Sequence, residues 1–336
     1  MRPPAGPDGA GRGANRAGQR IVALGGGHGL AAALAALRHL SDQLTGIVTV
    51  ADDGGSSGRL REEFGVLPPG DLRMALSALC DDGEWGRTWR DVLQHRFSTR
   101  GPLDQHSMGN LLIVALWELL GDPVDGLDWV GRLLGARGRV LPMAAVPLDI
   151  EADVLDPAAP GGRRVVHGQS RVAVTSGRVE HVRLLPENPP ARPEAVEAVL
   201  DADWVVLGPG SWYTSVIPHL LVPELSHALH TTRARRALTL NLSAQTGETA
   251  GYGAHDHLLA LAEHAPELRI DVVVADPWAV EDVDVLTEAA QGLGARVLLR
   301  QVRVAGATGK HDPLRLAAAY RDAFDSFLGD VGTVAG

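Results

Sequence analysis

The segment at residues 47–61 constrains this chain more than any other part of the sequence. Residues 47–50 read Ile-Val-Thr-Val, which is typical of a buried β-strand, and residues 52–61 read Asp-Asp-Gly-Gly-Ser-Ser-Gly-Arg-Leu-Arg. Two carboxylates, two hydroxyl groups and two guanidinium groups therefore follow a strand directly, in a glycine-rich loop. This density of hydrogen-bonding groups predicts a polar ligand, with Asp52 and Asp53 as the candidate catalytic residues.

The composition excludes several classes of protein. The chain has 336 residues, a formal net charge of −10 and a single cysteine, Cys80. The acidic balance predicts no nucleic-acid partner, and one cysteine without an internal disulfide fits a reducing cytoplasm. No apolar run approaches the ~18 residues that a membrane span needs. We therefore expect a cytoplasmic protein without membrane insertion.

Apolar runs that end in glycine, serine or acidic residues alternate with helix-like segments. Aromatic residues make up only 4% of the chain, so the core must consist of valine, leucine, isoleucine and alanine, as in parallel α/β sheets. Residues 21–24, 30–40 and 47–50 predict a right-handed β-α-β unit. The sequence thus predicts the α/β fold class with a mostly parallel sheet.

Two regions depart from this alternation. Residues 1–19 are rich in glycine, alanine, proline and arginine, which predicts a disordered tail. Residues 20–330 are predicted to form a single domain. Short apolar runs, including residues 171–175, are separated by turn-forming pairs and predict strands of a small antiparallel β insertion at about residues 139–185.

The loop after the first strand contains Gly27-x-Gly29-x-x-Ala32, a form of the dinucleotide-binding fingerprint. These glycines would let a phosphate approach the backbone at a helix N-terminus, although they also suit a tight strand–helix turn with no ligand. Asp52 follows Gly29 by 23 residues, near the place of the ribose-binding acid in NAD enzymes. The residues therefore leave an NAD-dependent oxidoreductase open.

Two later loops repeat this pattern of small and polar residues at a strand end. Residues 208–215 read Gly-Pro-Gly-Ser-Trp-Tyr-Thr-Ser, and Ser211 either caps a helix or binds a ligand oxygen. Asn241 and Gln245 in the next loop offer donors and acceptors to a base or a sugar. Because parallel strands end at one edge of a sheet, we expect these loops to share one ligand cleft.

Metal and nucleophile motifs are weak. His255 and His257 stand two residues apart, a spacing that does not place them on one helix face, so no metal site is predicted. Cys80 has apolar neighbours and is expected to be an inert core residue. The chain has no Walker lysine, Gly-x-Ser-x-Gly or Cys-x-x-Cys motif. No cofactor is therefore predicted with certainty.

Seven motifs together resemble the YvcK-type gluconeogenesis factors, which are relatives of the 2-phospho-L-lactate transferase (CofD) family. The resemblance runs from residue 21 to about residue 327. Four of its motifs lie in the loops described above. The others read Pro-Pro-Gly-Asp-Leu-Arg at residues 68–73, His-Ser-Met-Gly-Asn at residues 106–110 and Lys-His-Asp-Pro at residues 310–313.

The resemblance implies a Rossmann-like three-layer α/β/α fold and a cytoplasmic bacterial protein that binds UDP-sugars such as UDP-N-acetylglucosamine or UDP-glucose. It also implies a role in growth on gluconeogenic carbon sources, in cell shape and in peptidoglycan synthesis. A homodimer and proteins of cell-wall synthesis are the expected partners. On this branch we expect a non-catalytic regulator that binds a nucleotide sugar.

The transferase branch keeps a second function open. Its members move a phospholactyl group from a nucleotide-activated donor onto a deazaflavin in coenzyme F420 synthesis. If this chain were such an enzyme, Asp52 or Asp53 would hold Mg²⁺ or act as a base.

The ligand-binding set that the loops and the resemblance imply consists of residues at strand ends and helix starts. Its members are Gly26, Gly27, Gly29, Asp52, Asp53, Ser56, Ser57, Asp71, Asn110, Gly208, Gly210, Ser211, Ser215, Asn241, Gln245 and Lys310. Lys310 is the only lysine in the chain and stands where the family usually has arginine, which keeps the charge without the bidentate geometry. His28 stands where threonine is common, and residues 243–246 differ from the usual Met-Thr-Gln-Pro.

Overall fold

Ten strands and twelve α-helices form along the residues that the computed structural model describes, which are 18–244 and 247–326. The strands are β1 (Ile21–Gly25), β2 (Leu44–Val48), β3 (Arg139–Pro142), β4 (Asp149–Leu155), β5 (Arg163–His167), β6 (Arg178–Leu185), β7 (Trp204–Leu207), β8 (Arg235–Thr239), β9 (Val272–Ala275) and β10 (Arg296–Leu299). The helices are α1 (Gly27–Leu37), α2 (Gly55–Phe64), α3 (Pro69–Leu79), α4 (Glu84–Gln94), α5 (Met108–Leu120), α6 (Pro123–Leu134), α7 (Gln169–Ala173), α8 (Pro193–Asp201), α9 (Pro223–Thr231), α10 (Ala254–His264), α11 (Val283–Gly292) and α12 (Pro313–Asp325). Most of the predicted tail, residues 1–17, and residues 327–330 of the predicted domain lie outside this range.

The large sheet contains seven strands in the order β10-β9-β8-β7-β1-β2-β3, and every neighbouring pair is parallel. The chain first builds outward from β1 through β2 to β3. It then returns to the other side of β1 for β7 and continues to β10. The strand order therefore reverses between β1 and β7, and open α/β sheets bind ligands at such a switch point. The predicted α/β class and mostly parallel sheet are confirmed.

The strands at the switch point are buried along their whole length. All residues of β1 and β7 are buried, which explains why their sequences are continuous apolar runs rather than alternating patterns. Helix α1 packs against α3 and α12 over this part of the sheet. The turn between β1 and α1 is therefore held from several sides.

A separate sheet of three antiparallel strands, in the order β5-β4-β6, lies between β3 and β7 in the sequence. The sheet begins at Asp149, because residues 139–142 form β3 and pair in parallel with β2. The strand predicted at residues 171–175 is wrong, since this region contains helix α7. Val172 is fully buried and Val174 is exposed, a pattern that one helical turn and a short strand share.

The β1–α1 turn lies directly against the turn that follows β7. A Cβ atom built on Gly29 would lie 2.1 Å from the carbonyl oxygen of Pro209 and 2.5 Å from the Cα atom of Gly210. No side chain fits between two backbones at these distances, so glycine is required here by close approach.

We expect Gly29→Ala to lower the free energy of unfolding by about 1–3 kcal/mol, because the two turns must move apart. Urea denaturation measures the change. Gly292→Ala is the matched control, since a Cβ atom at the end of α11 would meet nothing within 4 Å; its stability should stay within about 1 kcal/mol of wild type. Equal stability of the two variants would contradict the close packing of the turns.

Candidate functional site

A cavity of about 770 Å³ opens at the switch point. Its walls come from the turns after β1, β7 and β8 and from the segment that precedes α12. Four predicted residues line it, namely Gly29, Gly210, Asn241 and Lys310. The volume lies within the range of ordinary small-molecule sites, so the cavity can hold a ligand of nucleotide size.

Asn241 fixes the wall of this cavity after β7. The Gly210 N–H donates a hydrogen bond to Asn241 Oδ1 at 2.9 Å, and Asn241 Nδ2 donates to the Gly210 carbonyl oxygen at 2.7 Å. The side-chain amide of Asn241 thus stabilises the turn after β7. One N–H and one lone pair remain for a ligand.

Lys310 supplies the permanent charge of the cavity. Its side chain is exposed, and its ammonium group has no ion-pair partner among the residues that the structure describes. The neighbouring His311 is only 8% exposed, and burial lowers the pKa of its imidazole to about 4. Because His311 is therefore neutral at pH 7 and no carboxylate lines the cavity, Lys310 makes it locally positive.

Asp52 and Asp71 lie on the other side of the glycine turn. A Cβ atom on Gly26 would lie 2.7 Å from Asp71 Oδ2, and one on Gly70 would lie 2.8 Å from Asp52 Oδ2. The Asp71 carboxylate also accepts a hydrogen bond from the Gly27 backbone. The N-terminus of α1, where a dinucleotide would place its pyrophosphate, thus already faces a carboxylate of the protein. This arrangement counts against the NAD-dependent oxidoreductase.

The two carboxyl groups disfavour each other's ionisation. Burial raises the pKa of Asp71 to about 7, and repulsion from Asp52 acts in the same direction. Burial also raises the pKa of Asp52, although hydrogen bonds from Gly54 and Ser57 oppose this. The Gly54 N–H donates to Asp52 Oδ1 at 3.0 Å. Ionisation of both Asp52 and Asp71, at the edge of the cleft, is therefore unfavourable.

The two nearby arginines do not neutralise this pair directly. Arg61 forms an ion pair with Asp149 at 3.0 Å, rather than with Glu62 or Glu63. Arg73 donates from Nε to Asn110 Oδ1 at 2.9 Å and from its terminal nitrogen to Gln94. Arg61 is thus paired elsewhere, whereas the partners of Arg73 are neutral and its charge still lowers the pKa of Asp71.

Arg59 does not point at a ligand either. Its guanidinium donates to the carbonyl oxygens of Pro102 and Asp104. It therefore fixes the loop before α5.

Asp53 faces away from Asp52. The Ser170 N–H donates a hydrogen bond to Asp53 Oδ1 at 2.8 Å, and Asp53 Oδ2 lies 2.2 Å from a Cβ atom built on Gly168. Asp53 therefore holds the start of α7 and links the loop after β2 to the antiparallel insertion.

Ser56 and Asn110 belong to a buried network beneath the site. Ser56 Oγ accepts hydrogen bonds from Asn110 Nδ2 at 3.1 Å and from the Ser107 N–H at 3.3 Å, and it lies 3.1 Å from His106 Nδ1. All four residues are buried. The network joins α2 to α5, so these two predicted ligand residues have a structural role in this geometry.

Ser57 has a similar structural role, because it joins α2 to α3. It is buried, and its hydroxyl oxygen accepts a hydrogen bond from the Gly70 N–H at 3.0 Å. Ser57 therefore positions Gly70, and through it the first turn of α3 that carries Asp71.

The turn after β7 brings further predicted residues to the centre of the site. Ser215 is buried, and its Oγ lies 3.1 Å from a Cβ atom built on Gly26. Gly208 has a positive φ of 67°, and its Cβ position is 2.8 Å from the carbonyl oxygen of Thr239. Ser211 precedes the helical turn at residues 212–216 without capping it through its side chain.

The structure thus separates the predicted residues into three groups. Gly29, Gly210, Asn241 and Lys310 line the cavity, whereas Gly26, Gly27, Asp52, Asp71 and Ser215 gather across the glycine turn. Asp53, Ser56, Ser57 and Asn110 face inward or toward the insertion. Gly208 and Ser211 lie in the turn after β7 without lining the cavity, and Gln245 lies outside the described residues.

Two titratable residues in or beside the site were not predicted from the sequence. His311 lines the cavity directly beside Lys310, and its place next to a predicted residue was the available signal. Glu248 is 1% exposed, and burial raises its pKa to about 7. Nothing in the polar sequence around Glu248 indicates that its carboxyl group is buried behind Ser211.

The described residues contain no group of three or more His, Cys, Asp or Glu side chains that could hold a metal ion. Within the same residues, no helix is both long enough and apolar enough to span a bilayer.

We expect the titration of Asp71 to appear in the stability of the protein. Its folded-state pKa of about 7 lies above the ordinary 3.8, so its stabilising contribution is present at low pH and is lost as the pH rises from about 4 to about 7. Asp71→Asn cannot lose a proton. Relative to wild type, it should therefore gain on the order of 1 kcal/mol per pH unit across this window.

Urea denaturation of both proteins at about pH 5 and about pH 8 measures this effect. Asp91→Asn, at an exposed position of α4, serves as the matched control. A difference between Asp71→Asn and wild type that is the same at both pH values would show that Asp71 does not titrate in this range.

We also expect Asp53→Ala to release the start of α7. Loss of a capping carboxylate costs about 1 kcal/mol, so hydrogen exchange at residues 168–173 should become about fivefold to tenfold faster. Mass spectrometry of peptides from this region measures the rate. Glu62→Ala, on the exposed face of α2, should leave it unchanged, and protection that survives Asp53→Ala would refute the role of Asp53.

Comparisons with known proteins agree with this architecture. The family model described as "2-phospho-L-lactate transferase CofD" matches residues 21–298. A crystal structure of a member of the upf0052 family from Bacillus halodurans has a TM-score of 0.80 and 32% sequence identity, and the match covers 90% of this chain and 98% of that chain.

Curated proteins match over a similar range. The "Putative gluconeogenesis factor" of Mycobacterium tuberculosis (strain ATCC 25618 / H37Rv) is 54% identical over 302 residues, which cover 89% of this chain and 88% of that protein. The "Gluconeogenesis factor" of Bacillus subtilis (strain 168) is 36% identical over 309 residues, which cover 88% and 93%. The chain therefore belongs to the CofD family and, within it, to the YvcK-type gluconeogenesis factors.

Proposed function

We propose that the protein is a regulator that binds a UDP-sugar, such as UDP-N-acetylglucosamine or UDP-glucose. In this proposal it supports growth on gluconeogenic carbon sources and the synthesis of peptidoglycan that maintains cell shape. The names of its relatives in M. tuberculosis and B. subtilis support the metabolic role. The observation that carries the ligand is the cavity of about 770 Å³ at the switch point, with Lys310 on its wall.

The chemistry of the cavity fits the parts of such a ligand. A UDP-sugar carries its negative charge on the diphosphate in its centre, and Lys310 offers an ammonium group without a partner among the described residues. The backbones of Gly29 and Gly210 leave room for close approach to this charge. Ala32, Leu242 and Val304 give the cavity apolar walls, against which a base can pack.

The same walls favour binding over catalysis. The residues that line the cavity include no carboxylate, and His311 is neutral because burial lowers its pKa to about 4. A general acid and a general base of matched pKa are therefore not found together there. This supports a protein that senses its ligand rather than one that converts it.

Calorimetric titration with UDP-N-acetylglucosamine tests the proposal. We expect Lys310→Ala to weaken binding about tenfold or more, since one charge-assisted contact is lost, and Lys310→Arg to retain most of the affinity. Arg321→Ala removes an exposed cation elsewhere, on α12, and should have no effect. The proposal fails if wild type does not bind the ligand, or if Asp52→Ala combined with Lys310→Ala binds it as wild type does.

A transferase is the second candidate, and the description of the matching family model supports it. Asp52 and Asp71 would then face the nucleotide-activated donor. Proteins often hold Mg²⁺ through one or two carboxylates together with substrate phosphates, so this pair fits such an ion, which would neutralise charge on the diphosphate. Incubation with a deazaflavin, activated phospholactate and Mg²⁺ decides this alternative, and absence of product rejects it.

A further inference from the structure

The charges around the cleft are distributed unequally, and this asymmetry fixes how a ligand can lie in it. On one side, the cavity has Lys310 as its permanent charge and no carboxylate among its lining residues. It also contains His311, which is 8% exposed and neutral at pH 7 because burial lowers its pKa to about 4. This side therefore favours negative charge.

The opposite side of the cleft lies directly across the glycine turn from the cavity. A Cβ atom on Gly210 would lie 3.7 Å from the carbonyl oxygen of Gly26, and a Cβ atom on Gly26 would lie 2.7 Å from Asp71 Oδ2. Asp71 and its neighbour Asp52 therefore lie directly across the glycine turn from the cavity, although neither of them lines it. Both residues are half-buried.

The charge of the pair is compensated only in part: Arg61 lowers the pKa of Asp52 and Arg73 lowers the pKa of Asp71, yet the pKa of each carboxyl group stays above its ordinary value. Arg61 is paired with Asp149, and Arg73 donates to Asn110 and Gln94. The remaining partners of the pair are N–H and O–H donors, from Gly27 to Asp71 and from Gly54 and Ser57 to Asp52. A further carboxylate next to this pair would be repelled, whereas hydroxyl groups could donate to its free oxygen lone pairs.

We propose that the bound nucleotide sugar lies with its diphosphate at Lys310 and its sugar toward Asp52 and Asp71, so that the site accepts a neutral, hydroxyl-bearing sugar and rejects one that carries a carboxylate. The inference rests on the proposed function. It adds the orientation of the ligand and the part of the protein that sets its specificity. In the opposite orientation, and without a bridging cation, two carboxylates would face the charge of the diphosphate while Lys310 faced none.

UDP-glucose and UDP-glucuronate provide the test, because they differ only at C6, which is a hydroxymethyl group in one and a carboxylate in the other. Titration at about pH 8 keeps Asp71 ionised, since burial raises its pKa only to about 7. We expect wild type to bind UDP-glucuronate about tenfold more weakly than UDP-glucose, or weaker still. Asp52→Asn and Asp71→Asn should each reduce this ratio at least about threefold by removing one negative charge.

Glu62→Gln is the matched control, because it removes an exposed carboxylate of α2 that lies outside the proposed contact; its ratio should equal that of wild type. Binding of UDP-glucose by each variant shows that the variant is folded. Equal affinity of wild type for the two ligands, or an unchanged ratio in both asparagine variants, overturns the orientation while leaving UDP-sugar binding intact. Failure of wild type to bind UDP-glucose overturns the proposed function, and this inference with it.

Discussion

The contact between two backbone turns at the switch point is the constraint on which the rest of this protein depends. Gly29 of the β1–α1 turn leaves no room for a side chain against Pro209 and Gly210. The side-chain amide of Asn241 then accepts a hydrogen bond from the Gly210 N–H and donates one to the Gly210 carbonyl oxygen. The two halves of the parallel sheet meet here, so every group that a ligand could touch takes its position from this contact.

The glycine turn also divides the cleft into two electrostatic environments. The cavity side carries Lys310, while the far side carries Asp52 and Asp71, whose ionisation burial and mutual repulsion oppose. Under the proposed function, the first environment would bind the charged centre of the ligand and the second would face its uncharged end. The family model that matches this chain is described as a transferase. In a transferase, the same division would place two carboxylates beside a diphosphate, where they could hold Mg²⁺.

The sequence predicted the fold better than it predicted the roles of individual side chains. Continuous apolar runs such as β1 and β7 are typical of buried parallel strands, and the glycines that follow them mark the turns. Asp52 and Asp53, however, are adjacent and chemically identical, and only the three-dimensional structure shows that Asp53 binds the Ser170 N–H of the insertion. Ser56 and Asn110 read as polar ligand residues, yet they satisfy each other inside the molecule. Contacts between residues about 50 to 120 positions apart leave no local pattern.

The composition of the chain makes one side chain of the cavity wall chemically unique. Among the 31 lysine and arginine residues, Lys310 is the single lysine, and its exposed side chain stands on the cavity wall. Guanidinium groups do not react with ordinary amine-selective reagents under mild conditions, whereas an exposed ammonium group is in equilibrium with a nucleophilic amine. An amine-directed fluorophore or crosslinker would therefore mark a single side chain of the sequence, besides the terminal α-amino group, and that side chain stands on the wall of the cavity.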